Sequence, residues 1–161
     1  MNTCLIRNAR IYHTSTRSFF EGAILVENGR ITAVSREEIP APAEVDVFDA
    51  CGRMVIPGLV DVHTHGRAGG DFGTADATLL SKMAESYLDS GVTTVLPTLA
   101  SAPMDELEVA IDRLNALAAE AAASEGKQSH IAGIPCSSNL FVKRLKHKIC
   151  YAYRKLLENC H

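Results

Sequence analysis

The sequence predicts an α/β fold in which a small all-β module precedes a run of parallel βα units. Three observations predict it. Residues 1–55 hold short segments rich in Ile, Val and Leu, separated by turn residues that include Asn28-Gly29. From Pro57 onward strand-like apolar runs alternate with segments of helical spacing, as far as Ile134. Charge then divides the chain: residues 1–134 carry 10 Lys and Arg against 18 Asp and Glu, and residues 135–161 carry six against one. The expected organisation is a β module at 1–55, βα units at 56–134 and a basic tail at 135–161.

In the β module, "CLIRNARIY" and "GAILVENGRITAV" read as strands. Asn-Gly is favoured in two-residue hairpins because both positions take positive φ. Ile24 and Val26 share one face of the second segment, and Leu25 and Glu27 the other. "PAPAEVDVFDACGR" reads as a loop leading into a further short strand. No chemistry is expected in this module. His13 is read as a surface or packing residue, and Cys4 and Cys51 as small core residues.

Beyond it, "VIPGLVDVHTH" reads as a buried strand. "TADATLLSKMAESYLDSG" has helical spacing, with Leu79, Leu80, Met83, Ala84 and Tyr87 recurring at three and four residues. Thr74 or Asp76 serves as its N-cap, and Gly91 closes it. "VTTVLPT" is a second strand. "APMDELEVAIDRLNALAAEAAASEG" is a longer helix with Leu107, Ile111, Leu114 and Ala118 on one stripe and Gly126 as its stop. "HIAGI" opens a third strand. This β-α-β-α-β order implies a parallel sheet with helices packed on it. In the tail, Phe141, Leu145, Ile149, Tyr153 and Leu156 form a helical stripe among lysines and arginines, the pattern of a basic amphipathic helix. The spacing of His147, Cys150, Cys160 and His161 fits no common zinc site.

Length and composition narrow the function classes. A chain of 161 residues suffices for one domain with a proper core and is short for two. A formal charge of −3 gives no general reason to expect nucleic acid or an anionic membrane as partner. "MNTCLIRNAR" has no apolar stretch of signal-peptide length, and no later run approaches a membrane span. The five cysteines are odd in number and lack CxxC spacing, so free thiols in a reducing cytoplasm are expected.

The chemistry concentrates at the end of the first strand after Pro57. Residues two apart on a strand point to the same face, so Asp61, His63 and His65 share a side, while Val60, Val62 and Thr64 take the other. The imidazoles then stand at the C-terminal end of a parallel strand, where βα architectures place their sites. Neutral imidazole is the commonest metal ligand, and His63 and His65 are candidate ligands of a common ion. Gly66, Gly69 and Gly70 follow and allow a sharp turn beside it. Asp61 is a candidate to orient a ligand histidine, with a turn cap as the alternative. Thr98, at the end of the second strand, either lines the site or packs. Arg67 and Asp71 either approach a substrate or belong to a solvated loop, which is the favoured reading. One strand cannot complete a metal site, since three or four ligands from several elements are needed.

The stretch "VFDACGRMVIPGLVDVHTHG" resembles the amidohydrolase superfamily, and "HGRAGGDF", "GVTTVLPTLAS" and "HIAGI" are similar to the N-acetylglucosamine-6-phosphate deacetylase family over residues 1–134. The resemblance implies a small β-sandwich followed by a (β/α)8 barrel, with His63 and His65 as first-strand metal ligands. It implies a divalent metal (zinc, iron or manganese), an amino-sugar phosphate substrate, deacetylation to acetate and glucosamine 6-phosphate, and homo-oligomers among full-length members. It also implies a His-Leu-Glu-Gly-Pro stretch on the third strand, later histidines and a last-strand acid/base aspartate. Here the sequence departs: Pro135-Cys136-Ser137-Ser138-Asn139 stands where the glutamate is expected, and no counterpart of the catalytic aspartate follows. The expectation is a barrel that stops after about three of its eight strands, from a truncated or frame-shifted product that does not assemble the active site alone. The alternatives are another amidohydrolase, a cyclic amidase or deaminase, and a non-catalytic interaction fragment.

Overall fold

The computed structural model describes residues 3–41, 45–123 and 128–134. The stop assigned to Gly126 and everything expected of residues 135–161 lie outside them. The chain divides into two compact units, Met1–Pro57 and Gly58–His161.

The first unit is built on β1 (Thr3–His13), β2 (Ser18–Glu27), β3 (Arg30–Ser35), β4 (Asp46–Asp49) and β5 (Met54–Val55). They form one sheet in the order β3-β2-β1-β4, with β5 also pairing β1. Asn28 and Gly29 join β2 to β3 with φ of 53° and 73°, the two positive values that an Asn-Gly hairpin turn requires. A β-bulge interrupts β1 between Ile6 and Ala9, and Asn8 takes φ 53° there. The bulge is tied down from β4: the Asn8 amide donates to Asp49 at 2.9 Å, and Cys51 N–H reaches the same carboxylate at 2.9 Å. These bonds hold the Asp49 carboxyl below its usual range, the backbone donor contributing most.

Ala9, Ile11, Ile24 and Ala50 make this unit's small core. Among the described residues the strands of this module form a single sheet. One expectation is corrected. Cys51 is exposed and Cys4 half-buried, because Cys51 sits in a turn with φ 50° that carries its side chain out of the core.

The second unit runs β6 (Leu59–Thr64), β7 (Gly66–Arg67), β8 (Gly70–Asp71), α1 (Ala77–Asp89), β9 (Val92–Pro97), α2 (Met104–Ala123) and β10 (His130–Ile131). β6, β9 and β10 form a parallel sheet in the order β10-β9-β6. The Asp76 side chain accepts the Leu79 N–H at 2.8 Å, so Asp76 rather than Thr74 caps α1. Gly91, at φ 75°, ends that helix. Leu80, Met83, Ala84 and Tyr87 of α1 and Leu107, Ile111, Leu114 and Leu117 of α2 pack with Val95 and Ile131. The observed core is the stripe that helical spacing predicts, widened by Ala110, Leu117 and Ala121.

β6 is not the buried strand expected. Val60 is 57% and Val62 65% exposed. The reason is position: β6 is an edge, and α1 and α2 pack on β9 and β10.

Candidate metal-binding strand end

His63 lies in β6 and His65 just beyond it. Both are exposed, and their rings stand edge to face with centroids 5.2 Å apart. The Thr98 hydroxyl comes to 3.5 Å from His63 Nδ1 and 3.4 Å from the Leu96 carbonyl. Thr98 is buried, and its N–H donates to the Thr64 carbonyl at 2.7 Å, joining the ends of β6 and β9. Asp61 accepts the His63 backbone N–H at 3.2 Å, a local bond to the main chain.

Behind the imidazoles the strand end is clamped to α1. The Thr64 and Tyr87 hydroxyls share a hydrogen bond of 2.6 Å, and they reach the Gly66 carbonyl at 3.3 and 3.2 Å. Burial raises the Tyr87 phenol above its usual pKa, with the Asp61 charge adding to the rise; the bond to Thr64 and the Arg67 charge oppose it. Thr64 therefore faces the helix, while the pairing of β6 with β9 is irregular between Asp61 and Thr64 and His65 follows the strand's end.

The glycine-rich stretch is a miniature hairpin, which periodicity did not reveal. β7 and β8 pair antiparallel, Gly66 opposite Asp71, around Ala68 and Gly69 at φ 53° and 81°. A Cβ on Gly66 would stand 2.0 Å from the Gly70 carbonyl oxygen, so the strands approach this closely only with glycine there. The solvated-loop reading of Arg67 is corrected. Its Nε donates to Ser86 at 2.9 Å, it also bonds Ser90, and its guanidinium lies 5.1 Å from the centre of the Tyr87 ring. Asp71 is exposed and accepts the Gly73 N–H at 2.8 Å.

Among the described residues no group of three or more His, Cys, Asp or Glu is placed to hold a metal. His63 and His65 suit a divalent ion in donor type and spacing, as two of the three or four ligands needed. A groove of about 550 Å³ within the first unit is lined by Arg7, Arg10, Glu21, Arg36 and neighbours.

Comparison with known proteins bears on this strand end. No family model matches the chain. A dihydroorotase from Pelobacter propionicus is 44% identical over 66 residues, 41% of this chain and 15% of that protein. The fold is similar to N-acetylglucosamine-6-phosphate deacetylase from Pasteurella multocida, with TM-score 0.67, 24% identity and coverage of 83% of this chain and 34% of that one. The deacetylase from Mycobacterium smegmatis, solved with N-acetyl-D-glucosamine-6-phosphate, aligns with TM-score 0.63 and 25% identity over 84% of this chain and 32% of that one. The sequence likeness is confined to a short stretch, and the likeness to the solved deacetylases is one of fold. Other curated relatives are adenine deaminases and imidazolonepropionases, so the superfamily is common to the matches and the substrate is not. Amidohydrolases are generally metal-dependent. The chain spans a small part of the curated relatives and about a third of the solved deacetylases. No helix of the described residues is long and apolar enough to cross a membrane.

Proposed function

We propose that His63 and His65 form the first-strand part of a divalent-metal site in a hydrolase acting on N-acetylglucosamine 6-phosphate. The observation that carries it is the pair itself: two exposed imidazoles side by side at the C-terminal end of a parallel strand. The substrate reading is supported by the backbone likeness to deacetylases over most of the chain.

The chemistry a divalent ion supplies when bound there is Lewis acidity toward water and an amide carbonyl. The chain's own residues hold and aim it. With His63 Nδ1 turned toward Thr98, Nε2 is the nitrogen left for a ligand. Asp61 is engaged with the His63 N–H and steadies the backbone leading into His63. A group that takes the proton from water and passes it to the leaving amine is not among these residues.

The test is a zinc, iron and manganese titration of the whole chain, read on the imidazole resonances, followed by assay of acetate release from N-acetylglucosamine 6-phosphate. Metal response lost in H63N and H65N supports the metal reading, and its absence in the unaltered chain sinks it. Acetate release supports the substrate reading. None at full metal occupancy is the result expected of a chain that supplies two ligands and no acid/base group, and leaves a metal-binding, non-catalytic chain. A second reading, a cyclic amidase or deaminase, is favoured by the dihydroorotase and adenine deaminase relatives. Turnover of dihydroorotate or adenine in place of the amino sugar would select it.

A further inference from the structure

We infer that Tyr87 is a positioning residue for the histidine pair, acting through Thr64 and Gly66 on the backbone of His65. It rests on the metal reading above for its functional meaning. Both chain neighbours of His65 are held by one phenol: Tyr87 bonds the Thr64 hydroxyl at 2.6 Å and the Gly66 carbonyl at 3.2 Å. The carbonyl of His65 is fixed in turn by the Phe72 N–H at 2.8 Å, and the Phe72 ring stacks on Tyr87, with centroids 6.2 Å apart and planes at 9°. Arg67, one residue beyond Gly66, lies against the same ring.

The segment from Thr64 to Phe72 is thus gathered around one side chain that is 2% exposed and rooted in α1. His65 lies one residue past the last residue of β6 and does not appear in that strand's pairing with β9. The His63 ring lies beside the Thr98 hydroxyl, whereas the contact described for the exposed His65 ring is the edge of His63 itself. Where ligands are exposed, the surrounding bonds that orient them decide how well they converge on an ion, and losing such a bond weakens metal affinity by about 10–100-fold.

The experiment compares Y87F, T64V and T64S with the unaltered full chain, titrated with zinc alone and read on the imidazole resonances, with backbone amide exchange measured on the metal-free protein. Phe keeps the ring that packs against Phe72 and removes only the hydroxyl. Y87F and T64V are expected to raise the apparent zinc Kd about tenfold and to speed exchange of the Phe72 amide, while T64S, which keeps the hydroxyl, restores both. Ser129→Ala is the control: it removes a buried bond of 2.6 Å to the carbonyl of Val92, at the start of β9 and the end opposite Thr98, and should lower stability without moving the zinc Kd. Zinc affinity and Phe72 exchange unchanged in Y87F would overturn the inference. So would a Ser129→Ala effect on zinc binding equal to that of Y87F, since general loosening would then suffice. If the unaltered chain shows no zinc response, the metal reading fails. The positioning role then stands or falls on whether Y87F speeds Phe72 exchange with T64S restoring it.

Discussion

The buried hydroxyl of Thr98 lies 3.5 Å from Nδ1 of the exposed His63, across the parallel pairing of β9 with β6. At that length the contact orients more than it stabilises. Thr98→Val is expected to change unfolding free energy by less than about 1 kcal/mol, because the poorly paired hydroxyl is replaced by a side chain of the same shape. Urea denaturation checks this, and a loss well above that figure would show the hydroxyl to be a structural bond.

Asp76 caps α1 through the Leu79 N–H at 2.8 Å. Asp76→Ala should cost about 1 kcal/mol, and Asp76→Asn much less, since the amide oxygen can still accept. Thermal unfolding of the two variants side by side is the measurement.

Ile111 and Leu114 are fully buried between the helices and the sheet. Leu114→Ala should destabilise the protein by about 2–5 kcal/mol, the transfer loss plus the cavity left behind. A cost under about 1 kcal/mol would mean that this core is not packed as described.

Burial raises the Tyr87 phenol above the ordinary value of about 10 for tyrosine. The folded protein therefore holds that proton more tightly than the unfolded chain. Stability from this group is fully present below pH 10, and is lost as pH rises from there through the folded pKa. Alkaline titration of the unfolding midpoint should show this extra loss in the unaltered chain and not in Y87F. Equal slopes in both would sink the assignment.

Gly66→Ala places a methyl 2.0 Å from the Gly70 carbonyl oxygen, so the hairpin strands must separate. Overpacking of this kind costs about 1–3 kcal/mol. The change should also broaden the His65 and Phe72 amide signals, whereas an unaltered spectrum would show that the hairpin has room to spare.

Much of this was legible in the residues. Local patterns are carried by neighbours in the chain, so the Asn28-Gly29 turn, the α1 and α2 stripes and the βαβαβ order could be read without a fold. The histidine pair was legible for the same reason, because residues two apart stay close, although His65 lies past the end of β6. Tyr87 was visible only as a core position. Nothing in its spacing says that its hydroxyl meets Thr64, 23 positions earlier.

What the sequence determined by itself is therefore the set of elements and the pairing of the two imidazoles, since periodicity and turn chemistry act over a few residues. Tertiary structure alone decided that β6 stands as an exposed edge, that "GRAGGD" closes into a hairpin, and that Arg67 lies on α1 rather than in solvent. These depend on which surfaces meet after the chain has folded back on itself, and on the burial and hydrogen bonding that contact creates.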